Sequence, residues 1–475
     1  MEHKSTKKFD PPLDFTAPLC YNKIKEKEGG ACMKNILKEW RCWLYLAALT
    51  FLCNSYFIVR FRPAWLFCFI PLFLHFNISA GRSDRTIPTR RLSLCHHGGC
   101  VLALFSGTAL LSILWHGLLA YHLFPDNAAL FWWSLLYTSV AEFVLFWHGM
   151  ICVYLSSGQM GIRRRVLAAL VGLIPIVNLV ALGKIIAIVF DEVRFESAKI
   201  RLNDSRHEDR ICATKYPILL VHGVFFRDSG LFNYWGRIPA ELKKNGARVF
   251  YGEHDSARSV AESAAELVDR IEWILKKTGA EKVNVIAHSK GGLDTRYAIA
   301  HLGAAPYVAS LTTINTPHNG CIFADRLLKN LPQWLIDRVT NTYNHLAEQL
   351  GDDQPDFLAA VSDLTAPACI ERNKTMPKPE GILCRSVGSR MNRASHGRFP
   401  LNLSYHLVKH YDGPNDGLAA ESSFPFGDRY TLVTVKGRRG VSHADIIDKS
   451  CVNIKGFDVR EFYVQMVAEL KNEGL

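Results

Sequence analysis

The chain has 475 residues, 49% of them hydrophobic, and a formal net charge of +12, which gives room for two or three domains. The charge is uneven: residues 1–190 hold 19 Lys and Arg against 9 Asp and Glu, and residues 191–475 hold 37 against 35. Basicity confined to the part with long apolar blocks argues for membrane topology and against a nucleic-acid partner.

Residues 1–41 form a polar leader carrying nine Lys and Arg, from Lys4 to Arg41. Apolar blocks follow at 43–59, 63–80, 99–123, 129–156 and 166–190. Crossing the hydrocarbon takes about 20 residues, so residues 42–190 are expected to be an all-α transmembrane region of about five spans. The last three blocks meet that length. The first two are marginal, and "VRFRPAW" between them allows a hairpin of spans, a re-entrant pair or one kinked span. A cleavable signal peptide is not evident, because the leader is long and polar and several apolar blocks follow it.

Lys and Arg concentrate on one side of the expected spans. The leader, the 81–98 loop (Arg82, Arg85, Arg90, Arg91) and Arg163, Arg164 and Arg165 bring sixteen to that side, against Arg60 and Arg62 on the other. The bias puts the leader in the cytoplasm, and an odd number of spans puts everything after residue 190 on the extracytoplasmic side. Glu142, His116, His148 and Lys184 fall inside apolar blocks. Ionisable groups there are functional candidates, unless Glu142 pairs with a neighbouring helix and Lys184 reaches the interface.

Residues 191–212 read as a charged linker, and 213–475 as an α/β domain. "YPILLVHG", "ARVFYGE", "KVNVIAHS", "VASLTTINTP" and "YTLVTV" are strand-like. "IPAELKKNG", "VAESAAELVDRIEWILKKTG" and "GGLDTRYAIAHL" have helical spacing, the first two closing on Gly246 and Gly279. Strands alternating with helices imply a mostly parallel sheet covered on both faces. The five cysteines beyond residue 190 (Cys212, Cys321, Cys369, Cys384, Cys451) show no metal-ligand spacing, and thirteen in all leave at least one thiol without an internal partner.

Ala287-His288-Ser289-Lys290-Gly291 falls at a strand-to-helix turn, the setting of a nucleophile elbow. Small residues at 287 and 291 allow a tight turn that lifts the Ser289 hydroxyl off the sheet, and the following helix aims its first amides at developing negative charge. An ordinary helix N-cap would look similar over so short a pattern. Three features favour a nucleophile: "VHGV" after the first strand, Asp416 in "GPNDGL", and His443 in "GVSHADI". Serine needs a histidine to accept its proton, and an acid to orient that histidine. Asp412 competes for the acid, and His406 or His410 for the base, within "YHLVKHYDG", which reads as a strand.

Residues from about 213 to 470 resemble bacterial triacylglycerol lipases of the α/β-hydrolase fold. The resemblance runs through "YPILLVHGV", "YWGRIPAELKKNGARVF", "KVNVIAHSKGGLDTRY", "TTINTPHNG", "DFLAAVSDLT", "NDGL" and "SHADIID". It implies Ser289 as nucleophile, Asp416 as acid, His443 as base, and the amides of Val224 and Lys290 as an oxyanion hole. Lipases similar to these often bind calcium through two aspartates. Asp445 matches one position, but "HGRFPLNLS" supplies no acid for the other, so no metal or cofactor is expected. By position, the apolar series Leu328, Leu331, Leu335, Val339, Tyr343 and Leu346 corresponds to a lid, although a core helix has the same period.

The sequence therefore reads as a membrane-anchored, extracytoplasmic serine hydrolase acting on lipid esters. The alternatives are a phospholipase or short-chain carboxylesterase on the same triad, or a non-catalytic binding module of a membrane protein.

Overall fold

The computed structural model describes residues 40–82, 86–123, 127–171, 177–224, 233–349 and 351–475, without side-chain detail at 169, 171 and 177. The leader to residue 39 and the centre of the "FPDNAA" loop lie outside the described residues. Contacts divide the chain into two compact units, one of residues 22–205 and one holding residues 206–475.

The described part of the first unit is helical: α1 (Trp40–Cys53), α2 (Tyr56–Phe61), α3 (Leu66–Ser79), α4 (Arg90–Leu123), α5 (Ala128–Ser156), α6 (Gly161–Val171) and α7 (Val177–Ser205). Among the described residues, α4 and α5 are the two helices long and apolar enough to cross a membrane, by length and composition. The first two apolar blocks are shorter as helices than as sequence. At 1.5 Å per residue, α1 and α3 each rise about 21 Å, against a hydrocarbon core of about 30 Å. Ser55, whose hydroxyl donates to the Leu52 carbonyl, follows α1, and Pro63 opens the turn before α3. The fifth block is divided between α6 and α7. The expected linker is instead helical to Ser205. Its charges do not interrupt the helix because they are paired: Glu192 accepts from Arg91 at 2.6 Å and from the Ser157 hydroxyl at 2.6 Å, and Asp191 pairs with Arg194.

Glu142 pairs with the neighbouring helix, accepting from Thr108 Oγ1 at 2.9 Å and Ser112 Oγ at 3.2 Å across the α4–α5 interface. It borders a cavity of about 760 Å³ lined mainly by apolar side chains of α4, α5 and α7. Lys184 is exposed.

The second unit begins at Arg206, inside the stretch expected as linker. Arg206 forms a two-pronged ion pair with Glu461 at 2.6 and 2.8 Å, and Cys212 is fully buried. Its elements are β1 (Ile218–Val221), α8 (Ile238–Lys244), β2 (Val249–Tyr251), α9 (Val260–Thr278), β3 (Val283–His288), α10 (Lys290–His301), β4 (Val308–Ile314), α11 (Ile322–Asn330), α12 (Gln333–Gln349), α13 (Phe357–Ser362), α14 (Ala366–Asn373), β5 (Leu383–Ser389), α15 (Leu401–Asp412), β6 (Arg429–Val433) and α16 (Val459–Asn472). The six strands form one parallel sheet in the order β2-β1-β3-β4-β5-β6. β3 and β4 are buried along their whole length, as a sheet covered on both faces requires. One face packs under α8 and α16 around Ile218, Leu220 and Ile286, and the other under α9 and α10 around Leu219, Val285 and Leu311. Ser259 and Glu262 form a capping box at the start of α9, and Gly279 closes it at φ +67°.

Two sequence readings change. "YHLVKHYDG", read as a strand, is helix α15, because Leu401, Tyr405 and Val408 bury one helical face. His406 and His410 therefore lie on a helix. β5 was not foreseen, since "LCRSVGS" holds Arg385 and Gly388 and offers no clear alternation.

Candidate functional site

Ser289 follows β3 directly and holds φ +55°, ψ −130° before α10 begins at Lys290. A non-glycine residue there is strained, and the surroundings fix it. A Cβ at Gly291 would lie 2.3 Å from the His222 carbonyl oxygen, and one at Gly223 would lie 2.7 Å from Ser289 Cβ. The glycines thus let the β1 turn press against the serine. That turn holds Val224, 4% exposed, and residues 225–232 lie outside the described ones. Lys290, the first residue of α10, has a main-chain amide with no carbonyl one turn back to accept it.

Asp416 is fully buried and His443 nearly so. His443 Nδ1–H donates to Asp416 Oδ2 at 2.6 Å, which leaves Nε2 as the basic nitrogen. The remaining capacity of the carboxylate is used by donors: Asn315 Nδ2 at 2.7 Å on Oδ2, and the Leu418 and Ala419 amides at 2.8 Å on Oδ1. Asn315 stands at the end of β4 with φ +46°, a conformation asparagine tolerates better than most residues. Its role was not read from "TTINTPHNG", where nothing links an asparagine to an acid 101 residues away.

His288 joins the serine to the histidine. Its Nε2–H donates to the His443 carbonyl at 3.2 Å, with the two rings 4.5 Å apart. The neutral ring then accepts at Nδ1 from the Tyr234 hydroxyl at 2.6 Å, and Tyr234 oxygen accepts from the Gly223 amide at 2.9 Å. Burial, with His443 alongside, holds His288 well below the usual histidine range and so keeps it neutral. One buried chain of hydrogen bonds therefore connects the β1 turn, the serine turn and the histidine loop.

The competing residues have other work. Asp412 accepts from the Ile322 and Phe323 amides at 2.8 Å, capping α11. His406 and His410 lie on α15, with no contact to the site among the described residues. Asp445 is turned away from calcium binding: one oxygen meets Arg439 at 3.0 Å and the other the Ser442 amide at 3.2 Å. A carboxylate neutralised by a guanidinium, with no second acid in "HGRFPLNLS", does not fit a divalent ion.

The family follows from similarity once this geometry is in place. Residues 190–366 match the model of a domain of unknown function, DUF7379. A triacylglycerol lipase of Pseudarthrobacter phenanthrenivorans is 35% identical over 36% of this chain and 56% of its own length. Triacylglycerol lipase 2 of Saccharomyces cerevisiae is 37% identical over 51% of this chain and 74% of its own length. The chain belongs to the triacylglycerol lipase family. A solved lipase of Bacillus licheniformis, BlEst2 in its mature form, is similar over 54% of this chain and 92% of its own, at 25% identity and a TM-score of 0.40. This lipase-family chain spans little more than half the length of the first of these relatives.

In this family member the lysine after the serine does not reach outward. Lys290 Nζ is fully buried and donates to Asp294 Oδ1 and Ser263 Oγ, each at 2.8 Å. Burial outweighs the lysine and pushes the Asp294 carboxyl up to about 6. The apolar series expected as a lid or core helix is split between α11 and α12. Of α12, Ile336 and Ala347 are buried, whereas Trp334, Val339 and Leu346 are about half exposed or more, which is not a core helix. Tyr343 ties it to the β1 turn, donating to the Val224 carbonyl at 2.5 Å.

Proposed function

We propose that the protein hydrolyses carboxylic esters of lipids through a Ser289-His443-Asp416 triad. The observation that carries this reading is the buried His443–Asp416 pair, joined through His288 to the strained serine turn. Ser289 Oγ attacks the ester carbonyl carbon while His443 Nε2 takes its proton. The oxyanion is met by the amides of Val224 and Lys290. Collapse expels the alcohol, which takes the proton back from His443. A water activated by His443 then frees the fatty acid from Ser289. Labelling of the full chain by a fluorophosphonate, blocked in Ser289→Ala, is the expected result. An unlabelled wild-type chain would leave a binding module instead. Esters of graded chain length then separate lipase from short-chain esterase, and phospholipid esters separate both from phospholipase.

α12 serves as the lid of this site, on the strength of its exposed apolar side chains and the Tyr343–Val224 bond. Activity should rise steeply once the ester exceeds its solubility, and Tyr343→Phe should raise turnover of dissolved short esters. Smooth saturation through the solubility limit, with no effect of Tyr343→Phe, is the outcome that removes the lid.

The helical unit anchors the protein in a membrane, and the hydrolase unit stands on the extracytoplasmic side. The sixteen Lys and Arg on the leader side support that orientation. α4 and α5 alone return the chain to its starting side, so this placement needs an odd total, with the 166–190 block crossing as well. Protease added to intact cells should degrade the hydrolase unit. Its survival until the cells are permeabilised would move it inside.

A further inference from the structure

We propose that the helical unit holds a zinc-class divalent transition ion between α4 and α5, ligated by His97, His148 and Cys152. The ligand atoms of these three residues lie within 4.8 Å of one another. His148 and Cys152 stand four residues apart and so share one face of α5. His97 faces them because the two helices meet at glycine. A Cβ at Gly98 would lie 2.9 Å from Cys152 Cβ and 3.0 Å from the Gly149 carbonyl oxygen, and a Cβ at Gly149 would lie 2.8 Å from Leu102 Cγ. The His97 and His148 rings are 5.1 Å apart, edge to face.

The tautomers are set for ligation. His97 Nδ1 lies 2.5 Å from the Ala80 carbonyl oxygen, and His148 Nδ1 lies 2.7 Å from Asn77 Oδ1. Both oxygens accept only, so each ring carries its proton on Nδ1 and offers the Nε2 lone pair. A ring nitrogen held this way by an oxygen acceptor is the usual outer support of a metal-bound histidine. His97 is 1% exposed, and its Nε2 is a buried atom with no hydrogen-bond partner. Leaving such an acceptor unmet is costly in a folded protein, and a metal ion relieves it. Cys152 is a free thiol, 6% exposed.

Two imidazoles and one thiolate suit zinc, with a water as fourth ligand. Bonds of about 2.0–2.3 Å require the ligand atoms to close by about an ångström. Binding releases the Cys152 proton to solvent as sulfur becomes the ligand. The site lies about 10 Å along α4 from Arg90 and about one turn from the end of α5, close to the arginine-rich ends of both helices.

The test uses the full chain in detergent, purified without a histidine tag and dialysed against zinc and then against buffer. The expected result is about one zinc per chain, and a cobalt(II) derivative with a sulfur-to-cobalt absorption band that Cys152→Ser removes. Asn77→Ala keeps every ligand and should weaken zinc binding by about 10- to 100-fold. A wild-type chain retaining far less than one zinc overturns the proposal, whatever the variants do. So does a cobalt spectrum unchanged by Cys152→Ser.

Discussion

Ser289→Ala is expected to lower kcat/KM for ester hydrolysis by about 10⁶-fold, and His443→Ala by a similar factor, because triad members act as a unit. The double variant should be no worse than either single one. The acid separates two neighbours. Asp416→Asn keeps the shape of the side chain but cannot accept and balance the His443 Nδ1–H in the same way, and it leaves the Asn315, Leu418 and Ala419 donors facing a poorer acceptor. A loss of about 10⁴-fold in kcat is expected for removing that orientation. Asp412→Asn should leave hydrolysis near wild type, because the Asp412 oxygens accept the Ile322 and Phe323 amides and not the His443 ring. Its effect belongs to the start of α11, where the Ile322 and Phe323 amides meet it. Steady-state kinetics on one soluble ester measure all four. If Asp412→Asn proved the more damaging of the two acid variants, Asp416 would not be the acid.

The parts of the hydrolase unit that were legible in the sequence share one property: local pattern and tertiary role agree. β1, β3 and β4 are short β-branched or apolar runs closed by turns, and α9 carries both its cap residues, Ser259 and Gly279. The serine turn was legible because its strain demands small neighbours at fixed offsets. The failures are places where the decisive contact is distant. Asn315 is an unremarkable asparagine until β4 carries it to Asp416. Tyr234 and His288 carry no local mark of the chain they form with Gly223 and His443. β5 becomes a strand through its partners on both sides, β4 and β6, which supply what its own residues lack. α15 misled for another reason: nine residues with two histidines fit a period of two as readily as one of 3.6. In the first unit, hydropathy marked apolar blocks but could not mark where helices break, so five blocks became seven helices among the described residues.

Lys290→Met is expected to destabilise the hydrolase unit by about 3–5 kcal/mol, which lowers its melting temperature by about 6–20 °C for a domain of this size. The hydrolase motif needs only the amide of this residue, yet its side chain is fully buried beside Asp294, with His254 Nε2 3.6 Å from the other carboxylate oxygen and Arg372 acting from further off. Removing the ammonium strands a carboxylate that burial already disfavours. The sign with pH follows from the raised carboxyl. Asp294 binds its proton more tightly in the folded chain than in the unfolded one, so the stability it contributes is full below about 4 and is lost as pH rises through about 6. Without Lys290 that loss has no opposing charge. The gap between variant and wild type should therefore be smallest at about pH 4 and widest at about pH 8, as read by denaturant unfolding. Lys290→Met with Asp294→Leu removes both charges and should recover most of the difference, since a buried ion pair replaced by well-fitting apolar groups often costs little. A double variant as unstable as the single one, with a gap that does not change with pH, would show that Lys290 is held for its packing against α9 and not for its charge.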